Sequence, residues 1–217
     1  MEIQKTEGRA FATPASFTKV DDGCVTDGSR DNMQEYSDDQ WRVYSYKYIR
    51  NLNQFLAGLR ATTVLGSTEK LQYEGEIRFL RAWTYFSMCR GLGGVPIVND
   101  DVYDYEAGMD VSGLAIPRSK ESEVYNYIIS ECATIADYLP TQPTTNAARA
   151  TRWAALMLKA RAAVYAGSLA NYNNKMASPI RTNGNEVGIP AEMATQYYEI
   201  ALETAKEVIL KHLHITI

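Results

Sequence analysis

Several sets of residues in this chain have the side-chain types that chemistry needs. His212 and His214 lie near the C-terminus, and Cys24, Cys89 and Cys132 are scattered along the sequence. A Ser-His or Cys-His nucleophile system requires its base to be oriented by packing and by a third group. A fraying C-terminal segment gives the histidines no such support. The cysteines are odd in number, far apart and without C-x-x-C spacing, so they imply neither a disulfide framework nor a zinc site. Cys89 and Cys132 fall in apolar helical patterns and read as small buried hydrophobes. Among the carboxylates, Glu74 with Glu76 and Asp100 with Asp101 form pairs in sequence. Positions one or two apart on a helix point in different directions, whereas a glycosidase pair must face each other across roughly 5–10 Å. Solvated faces are the expectation for these four. The loop bearing Asp100, Asp101, Asp104, Glu106 and Asp110 is rich in calcium-type oxygen ligands, yet the glycine and terminal glutamate of an EF-hand are not at their spacing. It reads as a solvated charge run, and neither a metal nor another cofactor is expected.

Binding has better material. The chain contains 15 tyrosines and three tryptophans, whose flat faces can stack on the C–H faces of sugar rings and whose polar tips can meet hydroxyls at low entropic cost. Tyr44, Tyr48, Trp83, Tyr85, Trp153 and Tyr165 recur at helix-packing intervals and read as core. Aromatic residues outside those intervals are candidate ligand contacts. They are Tyr36, Trp41 at a helix start, Tyr103, Tyr105 and Tyr172, with Arg30 and Asn32 nearby in sequence.

The elements that would hold these residues are helical. Residues 1–38 mix Gly, Ser, Thr and Asp, with turn signals at Asp21-Asp22-Gly23 and Thr26-Asp27-Gly28-Ser29, and form a loop-rich N-terminal segment ahead of a helical domain over 39–217. Trp41, Tyr44, Tyr48, Leu52, Phe55, Leu56 and Leu59 predict a first helix over about 39–61. Leu71, Tyr73, Ile77, Leu80, Thr84 and Met88 mark a second, which must end near Cys89 or Arg90, because Gly91, Gly93, Gly94 and Pro96 cannot extend it. The same glycines follow a helix instead of opening one, which is the wrong polarity for a phosphate cradle. A third helix follows Ser119 as cap and carries Val124, Ile128, Cys132, Ile135 and Leu139 inward, with Pro140 as its stop. Thr151 caps an alanine-dense fourth, and a fifth runs from about Ala191 with Tyr198, Leu202, Ala205 and Ile209. The third and fourth start about 32 residues apart, near the ~34-residue tetratricopeptide period. That leaves a repeat-bearing scaffold and a generic bundle both open. The net charge of -4 provides no basic footprint for phosphates, so nucleic acid is not an expected partner. No run approaches ~18 apolar residues, and no apolar stretch follows the first residues as in a secretory signal.

The run Arg78-Phe79-Leu80-Arg81-Ala82-Trp83-Thr84-Tyr85-Phe86, continuing to Gly93-Gly94-Val95-Pro96-Ile97-Val98, resembles the signature of the SusD/RagB family of surface glycan-binding lipoproteins. Tyr48-Ile49-Arg50-Asn51-Leu52-Asn53 is similar to another helix of that family, with leucine where alanine is usual. Arg118-Ser119 through Leu139-Pro140, and Arg149-Ala150-Thr151-Arg152-Trp153-Ala154-Ala155-Leu156 on to Tyr165, look like two further blocks. Order and spacing agree over about residues 41–209. The resemblance implies an all-α, tetratricopeptide-like helical-repeat scaffold with long irregular loops. It also implies non-catalytic capture of oligosaccharide at the outer-membrane surface and delivery to a TonB-dependent transporter of the SusC type. Membrane association would run only through a lipid anchor, which this chain lacks along with a signal peptide. The expectation is therefore an amino-terminal portion of a longer protein. Arg78, Arg81, Arg149 and Arg161 are expected to be structural donors to loop carbonyls and helix carboxylates. A cytoplasmic helical-repeat adaptor that binds a protein or peptide is the alternative, and a glycan hydrolase would need a facing carboxylate pair.

Overall fold

The computed structural model describes residues 45–103, 106–142, 148–173 and 175–212. The loop-rich segment 1–38 and the start of the first helix at 39 lie outside them. Among the described residues there are five α-helices and no strand: α1 Tyr46–Ala61, α2 Ser67–Leu92, α3 Glu121–Ile135, α4 Arg152–Asn173 and α5 Ala194–His212. Short 3-10 turns occupy Ser112–Leu114 and Ala191–Met193. Each helix packs on the next in sequence. The contacts run in opposite residue order, with Asn53 and Arg60 of α1 meeting Arg81 and Glu74 of α2, and Gly167 and Arg152 of α4 meeting Tyr198 and Glu207 of α5. Consecutive helices are thus antiparallel neighbours, the tetratricopeptide-like arrangement of an all-α fold. No described helix is long and apolar enough to cross a membrane.

The centre is the second half of α2, where Thr84 through Cys89 are buried without interruption. A helix buried all round must be enclosed by neighbours on every side, and α1, α3 and α4 supply them with Ile49, Val124, Ile128, Leu158 and Ala162. Small residues let α4 come close: Ala155, Ala162, Ala163, Ala166 and Ala170 are all fully enclosed. A Cβ on Gly167 would stand 3.1 Å from the Tyr198 ring. Cys89 and Cys132 are buried free thiols, and burial pushes both up from the ordinary thiol range.

Helix boundaries follow local chemistry. Glu69 accepts from the Gly66 N–H at 3.2 Å, Glu123 from the Lys120 N–H at 2.9 Å, and Thr151 Oγ1 from the Ala154 N–H at 3.3 Å. Lys120, not Ser119, is therefore the N-cap residue of α3. The spacing of apolar residues placed the third helix's inward face correctly but rotated others. Phe55, Leu71, Leu80, Leu202 and Ile209 are exposed, while Ile49, Ala82, Tyr85, Tyr197 and Ala201 take the buried positions. Tyr85 is fully enclosed; Tyr48, Trp83, Trp153 and Tyr165 are half-buried.

The α2 exit is fixed by convergence of three segments: the end of the helix through Gly94, the stretch at Val98, and Arg118-Ser119. Gly93 has φ +75°, and its N–H closes on the Cys89 carbonyl at 2.8 Å. A Cβ on Gly94 would fall 2.0 Å from the Ser119 carbonyl. Arg118 donates to the carbonyls of Gly94 and Leu92 at 2.8 and 2.7 Å, satisfying groups the helix end leaves orphaned. Tyr85 Oη accepts from the Val98 N–H at 2.8 Å.

Candidate functional site

Beyond that exit lies a groove of about 720 Å³. Its floor is the end of α2 from Arg90 to Gly93 together with Glu121 of α3; one wall is Val164, Ser168 and Tyr172 of α4, and the other is the loop bearing Met176, Ile180 and Val187. Tyr172, 60% exposed, stands at the rim as an aromatic face with the Lys175 ammonium 5.1 Å from its ring centroid. The Arg90 guanidinium lies 5.8 Å from the Phe86 ring.

The loop is held against the groove by polar anchors. Asn173 donates from Nδ2 to the Ile180 carbonyl at 2.7 Å and accepts on Oδ1 from the Ile180 N–H at 2.8 Å. Glu121, only 4% exposed, accepts on Oε2 from the Gly188 N–H at 2.6 Å, and its own N–H donates to the Asn185 carbonyl at 2.9 Å. Burial pushes the Glu121 carboxyl up from its ordinary value, against the opposing pulls of the Gly188 N–H and Arg118. Among the described lining residues Glu121 is the single carboxylate.

A second polar assembly joins the loop at 99–103 to α1, α2 and α3. Arg81, 2% exposed, donates to Asn53 Oδ1, the Asn99 carbonyl and Asp100 Oδ1 at 2.8, 2.8 and 2.7 Å, and to Glu131 Oε2 at 3.1 Å. Asn53 donates to the carbonyls of Asn99 and Asp101, each at 2.9 Å. Arg78 holds Glu131 at 2.6 Å, and Arg60 bridges Glu74 and Asp100 at 2.8 and 2.6 Å. Burial pushes Asp100 up, and the hydrogen bonds from Arg60 and Arg81 outweigh it, so Asp100 titrates below its ordinary value. The Arg60 hydrogen bond likewise holds Glu74 low.

These contacts correct two expectations. Glu74 and Glu76 are not solvated faces, since Arg60 and Arg149 take them at 2.8 and 2.7 Å, and Asp100, though its side chain is 46% exposed, is held by Arg60 and Arg81. Arg78, Arg81 and Arg149 are donors to carboxylates and, for Arg81, to a loop carbonyl, as the motif arginines should be. Arg161 differs. Its guanidinium stacks on aromatic rings, 5.8 Å from the Trp83 centroid and 5.4 Å from that of Phe86.

Of the sequence-derived candidates, Tyr172 lines the groove. Tyr103 is 38% exposed and belongs to the arginine-held loop, where its carbonyl receives Arg50 Nε and Nη2 at 3.4 Å. It does not line the Tyr172 groove. Arg30, Asn32, Tyr36, Trp41 and Tyr105 lie outside the described residues, as does Asp104. Glu121, Arg90, Asn173 and Lys175 were missed. In sequence Glu121 is a first-turn acid that complements the helix dipole, and only the distant Gly188 turn shows its second role. Among the described residues no group of three or more His, Cys, Asp or Glu side chains could hold a metal ion.

Antiparallel neighbouring helices with grooves between helix ends and loops define the class of the fold, an all-α scaffold of the helical-repeat type. The family model described as "Starch-binding associating with outer membrane" matches residues 4–164, and the chain belongs to this SusD-like family. Its fold is similar to that of a SusD-like protein from Bacteroides fragilis NCTC 9343, 25% identical with a TM-score of 0.55, over 94% of this chain and 31% of that one. It is also similar to the protein BT4246, 28% identical with a TM-score of 0.59, over 76% of this chain and 28% of that one. A SusD superfamily protein from Bacteroides vulgatus, 22% identical with a TM-score of 0.51 over 76% of this chain and 28% of that one, shares the fold. The chain spans about three-tenths of the length of these structures. No curated protein matches it.

Proposed function

We propose that the protein binds oligosaccharide without chemical change at the outer-membrane surface and delivers it to a TonB-dependent transporter of the SusC type. The observation that carries the binding step is Tyr172, an exposed aromatic face at the mouth of a preformed groove, with the Lys175 ammonium beside its ring. Sugar rings present C–H faces to aromatic rings and hydroxyls to charged donors and acceptors, which is the combination this rim offers. Recognition without reaction is supported by the donor set: two-carboxylate hydrolysis needs a facing partner for Glu121, and the described lining supplies none. Family membership supports the surface location and the glycan class.

A calorimetric screen of soluble oligosaccharides against the chain and its Tyr172→Ala variant tests the reading. Binding that weakens about tenfold in a variant of unchanged melting temperature is expected for loss of one stacking platform. A folded chain that binds no oligosaccharide, or a variant that binds as well, refutes it, and release of shortened glycan refutes the non-enzymatic part.

A further inference from the structure

The loop that walls the Tyr172 groove ends in a closed turn. The Thr182 N–H donates to the Val187 carbonyl at 2.9 Å, and the Asn185 N–H donates to the Thr182 carbonyl at 3.1 Å. Thr182 Oγ1 accepts from the Val187 N–H at 3.1 Å. Gly188, with φ +94°, takes the chain out of the turn through the left-handed region that glycine enters freely.

Three helix ends hold this turn from outside. Asn173, the last residue of α4, takes both backbone groups of Ile180, the two-bond exchange that a neighbouring strand would make. Glu121, the first residue of α3, accepts from the Gly188 N–H and gives its own N–H to the Asn185 carbonyl. At the end of α2 the Gly94 N–H donates to the Glu186 carbonyl at 2.5 Å. A Cβ on Gly93 would stand 2.8 Å from that same carbonyl, so the signature glycines also make room for the turn. Apolar packing contributes little, because residues 175–184 are exposed and burial begins only at Gly188 and Ile189. Asn173 and Glu121, by contrast, are buried polar side chains, which are costly unless their hydrogen bonds are made. A segment placed by a few hydrogen bonds opens locally once they are removed.

We propose that Asn173 and Glu121 are positioning residues for the Tyr172 groove, acting through the 180–188 turn that they hold as its wall. The inference rests on the oligosaccharide reading of that groove. Asn173 adjoins Tyr172 in the chain, so the end of α4 supplies both the aromatic face and the anchor of the wall opposite. Apparent affinity scales with the fraction of molecules in which the groove is formed. Releasing the wall therefore weakens binding even though the aromatic face is untouched.

The test uses the 217-residue chain with Asn173→Leu and Glu121→Leu, which replace each anchor by an apolar side chain of similar size. Hydrogen exchange over residues 176–188, read by mass spectrometry, should quicken about tenfold in each, near the loss of one net hydrogen bond, while exchange in α2 and α4 stays as in wild type. Calorimetry with maltoheptaose, cellohexaose and xylohexaose should show the affinity of whichever sugar binds wild type falling at least about threefold. Glu121→Gln, which keeps an acceptor for the Gly188 N–H, should recover both slow exchange and affinity relative to Glu121→Leu. Should either leucine variant melt below wild type, alanine at the same position replaces it with the same expectation. Unchanged exchange overturns the proposal whether or not a sugar binds. Faster exchange with undiminished affinity overturns it too, and weaker binding with unchanged exchange would make the two residues direct contacts instead. A wild-type chain that binds none of the three sugars defeats the oligosaccharide reading and this role with it; that failure is told apart because the exchange rates still change as expected.

Discussion

Replacing Arg81 with methionine tests whether the motif arginine is a structural organiser. Methionine keeps the apolar stem and removes the four hydrogen bonds to Asn53, Asn99, Asp100 and Glu131. The acceptors do not suffer equally. Asp100 has a half-exposed side chain and keeps Arg60, and Glu131 keeps Arg78. Asn53 is fully buried, and the Asn99 carbonyl retains only the Asn53 amide among the contacts described. Each stranded buried acceptor costs about 1–3 kcal/mol, and breaking a buried charge pair from one side costs about 3–5 kcal/mol. Arg81 Nε is itself buried without a partner, so part of the wild-type desolvation is uncompensated and the lower end applies, about 3 kcal/mol. For a chain of this size that corresponds to a fall in Tm of roughly 10 °C, read by circular dichroism at 222 nm and pH 7. Asp100→Asn should cost less than about 1 kcal/mol, because its side chain is nearly half exposed and screened. The sign of the pH effect follows from Asp100, whose folded value is held below its ordinary one against burial by the hydrogen bonds from Arg60 and Arg81. The Arg81 part of that contribution is present above about pH 4 and is lost as pH falls through the folded value. Arg81→Met should therefore have a shallower acid limb than wild type. A melting shift below about 3 °C, or an unchanged acid limb, would refute the reasoning.

Two other substitutions probe the α2 exit and the groove floor. Glu121 has a raised folded value, so the folded state binds protons more readily than the unfolded chain and stability declines as pH rises from the ordinary carboxylate value to the raised one. Glu121→Gln, which keeps an acceptor for the Gly188 N–H, should be as stable as wild type or more so at pH 7.5 and should flatten that decline in a series of thermal melts; a marked loss at pH 7.5 would show that the charge itself is required. Gly94→Ala places its Cβ 2.0 Å from the Ser119 carbonyl, a backbone overlap that should cost roughly 1–3 kcal/mol or more. Gly58→Ala meets nothing within 4 Å inside α1 and should gain about 0.5–1 kcal/mol. Urea midpoints that rank these two variants the other way would contradict the geometry.

The helices were legible because their signals are local. The Gly93-Gly94 exit, the acidic first turn of α3, the Thr151 cap and the alanine run of α4 each state their role within a few residues, although Gly91 and Leu92 still belong to α2 and carry it past the end expected at Cys89 or Arg90. Which face each helix buries was legible only where the helix has one apolar face. Helix α3 has one, and its inward residues were read correctly. The second half of α2 is apolar nearly all round because three neighbours enclose it, and α4 is apolar on more than one face, so a periodicity count cannot choose between faces. In α5 the register slipped by one residue, from Tyr198 and Leu202 to Tyr197 and Ala201, because Tyr197 sends its hydroxyl to Asn126 at 2.9 Å, and sequence cannot reveal that pairing across helices. The site had the same difficulty. Tyr172 could be named from sequence because a loop-proximal aromatic announces itself, whereas Glu121 depends on Gly188, 67 positions away. Arg161 was grouped with the carboxylate-bound arginines of its motif because the stretch carrying it matches theirs. What separates it is the absence of a carboxylate anywhere on α4 and the presence of Trp83 and Phe86 beneath it. Arginines carried by matching motifs thus perform different roles here: Arg81 spends its donors on the carboxylates and carbonyl that hold the 99–103 loop, and Arg161 packs on the rings of Trp83 and Phe86 outside any ion pair of the described residues.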